Sequence, residues 1–181
     1  MTIIDHPIQF KEGIRVMLLL SRKKDGAEKN MTEHSCKKLI SKNPKEFEKN
    51  FQELLAVKKP EERIYSSLDE RYLRKAIRLF KFGQLDADYC GEKQRNEFYM
   101  DIFNRWVSML SNPTCRKGTL FLADCDSDED EDMVRADIAT GNVICIHEYA
   151  TKNGRHFILN PFNPNNVPYE VKKNALLLLA F

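Results

Sequence analysis

The sequence predicts an α+β protein: a mixed, largely antiparallel sheet with helices packed on it and an N-terminal α/β lobe. Three observations carry this. Short apolar runs of strand length are interspersed with amphipathic stretches of helix length. Two late strand-like runs are joined only by Thr151-Lys152-Asn153-Gly154, a hairpin signal in which Asn-Gly favours a type I′ turn. The order of the elements fits an antiparallel or split-βαβ sheet better than a doubly wound parallel one. The 181 residues suit a single domain, with residues 1–60 as the N-terminal lobe and 61–181 as the core.

Ile14 to Leu20 (IRVMLLL) reads as a buried strand, and the polar SRKKDGAEKN after it as a turn. Asn43-Pro44 with Glu46 opens a capped helix to Lys59, with Phe47, Phe51, Leu54 and Leu55 as its apolar stripe and Pro60 as its stop. Arg63 to Leu68 is a second strand. Asp69 is placed to cap a helix over residues 70–83, with Leu73, Ile77 and Phe80 inward, Arg71, Arg74, Lys75, Arg78 and Lys81 outward, and Gly83 as its end. One helix is expected from Glu92 to Leu110, on the face Phe98, Ile102, Phe103, Trp106, Val107 and Leu110. A strand at Thr119–Ala123, an acidic helix at Asp128–Ile138, and strands at Val143–Tyr149 and Arg155–Leu159 follow. The segment NPFNPNNVP is a loop, and Tyr169 to Phe181 reads as one last strand.

Composition narrows the class. With 42% hydrophobic and 31% charged residues, a chain of this length can bury a core unaided by disulfides or metal staples. No apolar run approaches a membrane span, and the N-terminus lacks a signal-peptide pattern, so a cytoplasmic protein with no membrane partner is expected. Cys36, Cys90, Cys115, Cys125 and Cys145 include no CxxC pair, which argues against a zinc knuckle or a disulfide framework. Charge is divided unevenly: 24 Lys and Arg stand against 17 Asp and Glu up to Gly118, and 5 against 10 beyond it. A basic body can attract polyanions. The basic helix at 70–83, with Tyr72, Phe80 and Phe82 among its cations, has the composition of a nucleic-acid face and equally of an ordinary amphipathic surface helix.

The most informative stretch is GTLFLADCDSDEDED, residues 118–132. It drives an apolar strand to its end and sets Asp124 and Asp126 there. Alternation along a strand puts both carboxylates on one face. Such a pair suits a hard divalent cation, Mg²⁺ or Mn²⁺, shared with substrate phosphates, and it also suits the start of a loop and a helix cap. The acids Asp128 to Asp132 imitate a calcium loop but lack its central glycine. In the second element, TKNGRHFIL, Lys152, Arg155 and His156 converge at a strand start. They can neutralise and hydrogen-bond phosphate, or serve as an ordinary sheet-face histidine with solvated neighbours. Lys23-Lys24-Asp25-Gly26 fits the KxDG signature of covalent nucleotidyltransferases and fits a basic turn equally well. His147-Glu148 could add a ligand from a neighbouring strand.

The pair Leu122-Ala123-Asp124-Cys125-Asp126 and Gly154-Arg155-His156 resembles the first two motifs of the catalytic core of archaeo-eukaryotic primases and primase-polymerases, hydrophobic-Asp-x-Asp and small-x-His. Tyr169-Glu170 stands where that superfamily has a hydrophobic residue and a third acid. The resemblance covers about the last third of the chain. It implies an RNA-recognition-type sheet and Asp124, Asp126 and Glu170 holding Mg²⁺ or Mn²⁺. It implies His156 on the nucleotide phosphates, assisted by Lys152 or Arg155, with nucleotidyl transfer as the chemistry. Nucleotide or nucleic acid would be the partner. Two other classes remain open: a non-catalytic nucleic-acid- or protein-binding module, such as the host-interaction factor of a phage-like mobile element, and a metal-dependent nuclease using the same acids.

Overall fold

The computed structural model describes residues 3, 13–21 and 34–181. Lys23 to Gly26, the KxDG stretch, lies outside them. Eight strands and five helices are described, and the strands form two four-stranded antiparallel sheets. The first has the order β2-β1-β3-β8, with β1 at Arg15–Ser21, β2 at His34–Ser41, β3 at Glu62–Ser67 and β8 at Leu176–Ala180. The second has the order β5-β6-β4-β7, with β4 at Phe121–Cys125, β5 at Cys145–Ala150, β6 at Arg155–Leu159 and β7 at Val171–Lys173. Helix α5, Asp128–Ala139, links β4 to β5 while β6 sits between them, which makes a split βαβ unit.

Alternation along the strands sorts side chains into three cores. Met17, Leu19, Ile64 and Leu178 of the first sheet pack with Leu122, Tyr149 and Ile158 of the second, and helix α1 (Pro44–Val57) joins this layer through buried Leu54. The opposite face of the first sheet, with Val16 and Ile14, is covered by α2 (Leu73–Tyr89) and α4 (Ile102–Ser111) through Ala76, Val107 and Leu110. The far face of the second sheet, with Phe121, Ala123, Cys125, Phe157 and Leu159, is covered by α5 through Val134. The α+β class therefore holds, with two sheets facing each other across one apolar layer. Strands β1 and β2, from the expected N-terminal lobe, share their sheet with β3 and β8 from the expected core.

Several elements differ from expectation for identifiable reasons. Asp69 does not cap α2. It is buried, accepts from Arg116 Nε at 2.8 Å and from the Leu120 amide at 3.2 Å, and α2 begins only at Leu73. Gly118 presses so close to Asp69 that a Cβ would lie 2.2 Å from its carboxylate. The helix runs through Gly83 to Tyr89 and buries Ala76 and Ala87, leaving Leu73 and Ile77 exposed. Arg71, expected outward, is 2% exposed and donates to Asn174 Oδ1. The expected helix over Glu92–Leu110 is two, α3 (Glu92–Met100) and α4, broken at Asp101, so that Ile102 and Phe103 turn to solvent. The hairpin at 151–154 closes with the Thr151 amide donating to the Gly154 carbonyl at 2.8 Å. Neither Asn153 nor Gly154 has positive φ, so the turn is not type I′. The last strand is split: Asn174, at φ 58°, turns the chain from β7 in one sheet into β8 in the other. Strand β2 had no apolar signature; it is an edge strand carrying Lys37 and Lys38.

Candidate functional site

Four side chains meet at the end of the second sheet. The register pairs Asp124 on β4 with His156 on β6, and His156 with Tyr149 on β5. Directly paired residues point to the same face. Lys172, on β7 beyond the other side of β4, lies diagonally across from Asp124. His156 Nε2 donates to Asp124 Oδ1 at 2.6 Å, and His156 Nδ1 shares a hydrogen bond of 2.8 Å with the Tyr149 hydroxyl. The Lys172 ammonium donates to Asp124 Oδ2. The row is thus a chain of hydrogen bonds from Tyr149 through His156 and Asp124 to Lys172, partly screened from water.

Gly154 makes this meeting possible. A Cβ there would lie 2.0 Å from the Cys125 carbonyl oxygen, so only glycine lets the entry to β6 press against the end of β4. That contact fixes Asp124 opposite His156. The small residue two places before the histidine therefore has a steric cause.

Electrostatics follow the geometry. The hydrogen bond from His156 lowers the Asp124 carboxyl most; burial opposes it, Lys172 adds to it, and the net result lies well below the usual carboxylate range. Burial works to lower the Lys172 ammonium, but its bond to Asp124 and the nearby acids raise it overall. Burial raises the Tyr149 phenol, which stays neutral. Burial and nearby Asp130 push the Cys125 thiol up to about 11, so it is not a nucleophile at neutral pH. Cys90, Cys115, Cys125 and Cys145 are all free thiols.

The other candidate residues are distributed around this row. Asp126 is exposed, one residue past β4, and among the described residues no hydrogen bond or ion pair engages its carboxylate. Glu170 is exposed just before β7, 3.8 Å from Lys172. Arg155 does not converge with His156. Adjacent on the strand, it faces α5, where it contacts Glu131 at 3.2 Å and Glu148 at 3.5 Å. Arg135 completes that quartet at 2.8 Å from Glu131 and 3.1 Å from Glu148, so Glu148 is a structural partner on the α5 side. Lys152 is exposed in the β5–β6 loop. His147 stacks on Tyr149, with ring centroids 6.1 Å apart. The acids after Asp126 frame a helix start: Ser127 caps α5 by accepting from the Asp130 amide at 3.2 Å.

Tyr149 and Lys172 were missed by sequence reasoning. Tyr149 could have been found from the hairpin, since closing a four-residue turn at 151–154 pairs it with His156. Lys172 could not, because VKK reads as part of one continuous last strand.

The fit to a divalent cation is decided by Asp124. Its two oxygens are taken by His156 and Lys172, and among the described residues no three His, Cys, Asp or Glu side chains gather where they could hold an ion. As arranged, the residues do not fit a bound Mg²⁺ or Mn²⁺; the Lys172 ammonium stands where the cation would be. Among the described residues, no helix is long and apolar enough to cross a membrane. Comparison with protein-family models, with curated proteins and with solved structures finds no match for this chain.

Proposed function

We propose that this protein handles nucleotides or nucleic acid at the Asp124–His156 centre, as a small protein of primase-polymerase type. One observation carries the reading. Two residues nominated by separate motifs, far apart in sequence, are direct cross-strand partners bonded at 2.6 Å, and the glycine of the second motif is sterically required for that contact. The split βαβ arrangement around them also supports it.

The chemistry available to the chain's own groups is phosphate capture. Lys172 Nζ and His156 Nε2 are donors currently satisfied by one carboxylate. A phosphate entering at the sheet end offers both donors replacement acceptors, and charge-assisted bonds of this kind are among the strong ones. Tyr149 holds the imidazole in orientation through Nδ1 during such an exchange.

The test is calorimetric titration of a non-hydrolysable nucleoside triphosphate into the protein, repeated with His156→Ala and with Lys172→Ala. The expected result is nucleotide binding that either substitution strongly weakens. Failure of the wild type to bind the nucleotide sinks the reading. The engaged state of Asp124 favours a second reading, a non-catalytic nucleic-acid-binding module. It predicts salt-sensitive oligonucleotide binding with no turnover.

A further inference from the structure

The first turns of α2 carry a feature the Asp124 centre does not use. Tyr72, Arg74, Lys75 and Arg78 line a cleft of about 420 Å³ on the protein surface. Lys75 Nζ lies 4.8 Å from the centre of the Tyr72 ring, and Lys117 Nζ lies 5.9 Å from it. Tyr72 is 40% exposed; Lys117 pairs with Glu70 at 3.9 Å, whereas Lys75 pairs with no acid among the described residues.

Several cations elsewhere are neutralised by acids. Lys37 pairs with Glu53, Arg116 with Asp69, Arg135 and Arg155 with Glu131 and Glu148, and Lys172 with Asp124. Arg74, Lys75, Arg78 and, one turn further, Lys81 have no acidic partner among the described residues. Unneutralised cations of one sign, with no acid interleaved from residue 71 to residue 85, constitute a local positive field.

We propose that this cleft docks single-stranded nucleic acid, holding successive phosphates on Arg74, Arg78 and Lys81 and stacking a base against Tyr72. The occupant follows from the chemistry. Arg74 and Arg78 are one helical turn apart, about 6 Å along the axis, a spacing suited to consecutive phosphates of an extended strand. Guanidinium forks match phosphate geometry. An aromatic face among backbone-binding cations is the arrangement by which single strands are held without sequence readout. An acidic peptide would use the cations but leave the ring without a stacking partner, and a duplex keeps its bases out of reach of the ring. The inference is independent of the Asp124 reading, because the cleft shares no residue with that centre.

The experiment is fluorescence anisotropy of a labelled oligothymidylate with the full chain across a salt series. At about −0.7 per neutralised phosphate, the three phosphate-holding cations give a log–log salt slope of about −2. Arg74→Gln/Arg78→Gln should weaken binding at least about tenfold at low salt and reduce the slope by about 1.4. Tyr72→Phe should bind as wild type and Tyr72→Ala should not. All these positions are exposed, so matched circular dichroism and melting curves are expected. Lys37→Gln, at a cation paired with Glu53 on the other sheet edge, should bind as wild type. Wild-type failure to bind at low salt overturns the proposal, as does an unchanged slope in the arginine variant. Equal competition by polyglutamate or by duplex of the same length overturns the choice of occupant. Loss of binding in Asp124→Asn alone would move the contact to the other centre.

Discussion

Asp124 accepts from His156 on one oxygen and from Lys172 on the other, and this has a pH signature. Its carboxyl is held below the ordinary aspartate range of about 4. Below that range the unfolded chain takes up a proton that the folded chain does not. The stability it contributes is therefore complete above the ordinary range and is lost as pH falls toward the depressed folded value. Denaturant unfolding of wild type and Asp124→Asn from pH 7 to pH 2 should give curves that converge toward the acid end; parallel curves would mean that the bonds contribute nothing. Gly154 makes a second prediction at this scale. Gly154→Ala drives a Cβ into the Cys125 carbonyl, a backbone atom that cannot swing aside. The cost should be about 1–3 kcal/mol, typical of overpacking, and the His156 ring resonances should shift as its contact with Asp124 opens. Asp124, His156 and the glycine before it were all legible in the sequence. Lys172 and the turning away of Arg155 were not, since each depends on which sheet, or which face, a strand joins.

Helix α2 shows why periodicity finds an element more readily than its orientation. Leu73, Ile77 and Phe80 form one acceptable stripe, whereas Ala76, Leu79, Phe80 and Ala87 form the one that packs. Phe80 belongs to both, against Phe98 at 5.3 Å and Trp106 at 5.7 Å. The small alanines lie where α2 packs against its neighbouring helices, and a hydrophobicity pattern gives them little weight. Arg71 was misread for a related reason: on the outer face expected for a helix over residues 70–83, a charged residue is assigned to the surface unless its partners are known. Those partners are Asn174, from the link between β7 and β8, and the Asp69 field. Arg71→Ala leaves Asn174 Oδ1 without its donor and removes a buried cation from beside Asp69. It should cost about 3 kcal/mol by chemical denaturation. A loss under 1 kcal/mol would show that the contact is dispensable.

On the scale of the molecule, the sequence announced the class but not the division into two sheets. The division rests on one residue of left-handed backbone, Asn174, inside a segment whose pattern VKKNALLLLAF reads as one strand. The charge asymmetry was visible in the sequence and is partly internal in the structure. Acids of α5 are matched by Arg135 and Arg155, Asp69 by Arg116 and Glu70 by Lys117. Lys117, beside the cleft, and Asp124 are seven residues apart, so the two centres lie within about 25 Å of each other.

The pairing of β3 with β8 has a kinetic consequence. Ser67 and Leu176 are neighbours in the sheet but more than a hundred residues apart in sequence. While the chain folds, β1, β2 and β3 can associate locally and bury one face under α1, yet the free edge of β3 must wait for a partner recruited from the far side of the second sheet. Closing so long a loop is slow, and an uncapped apolar edge is a template for another chain. Refolding of this protein should therefore lose yield steeply as its concentration rises, with the vulnerable interval set by how long β3 remains unmatched.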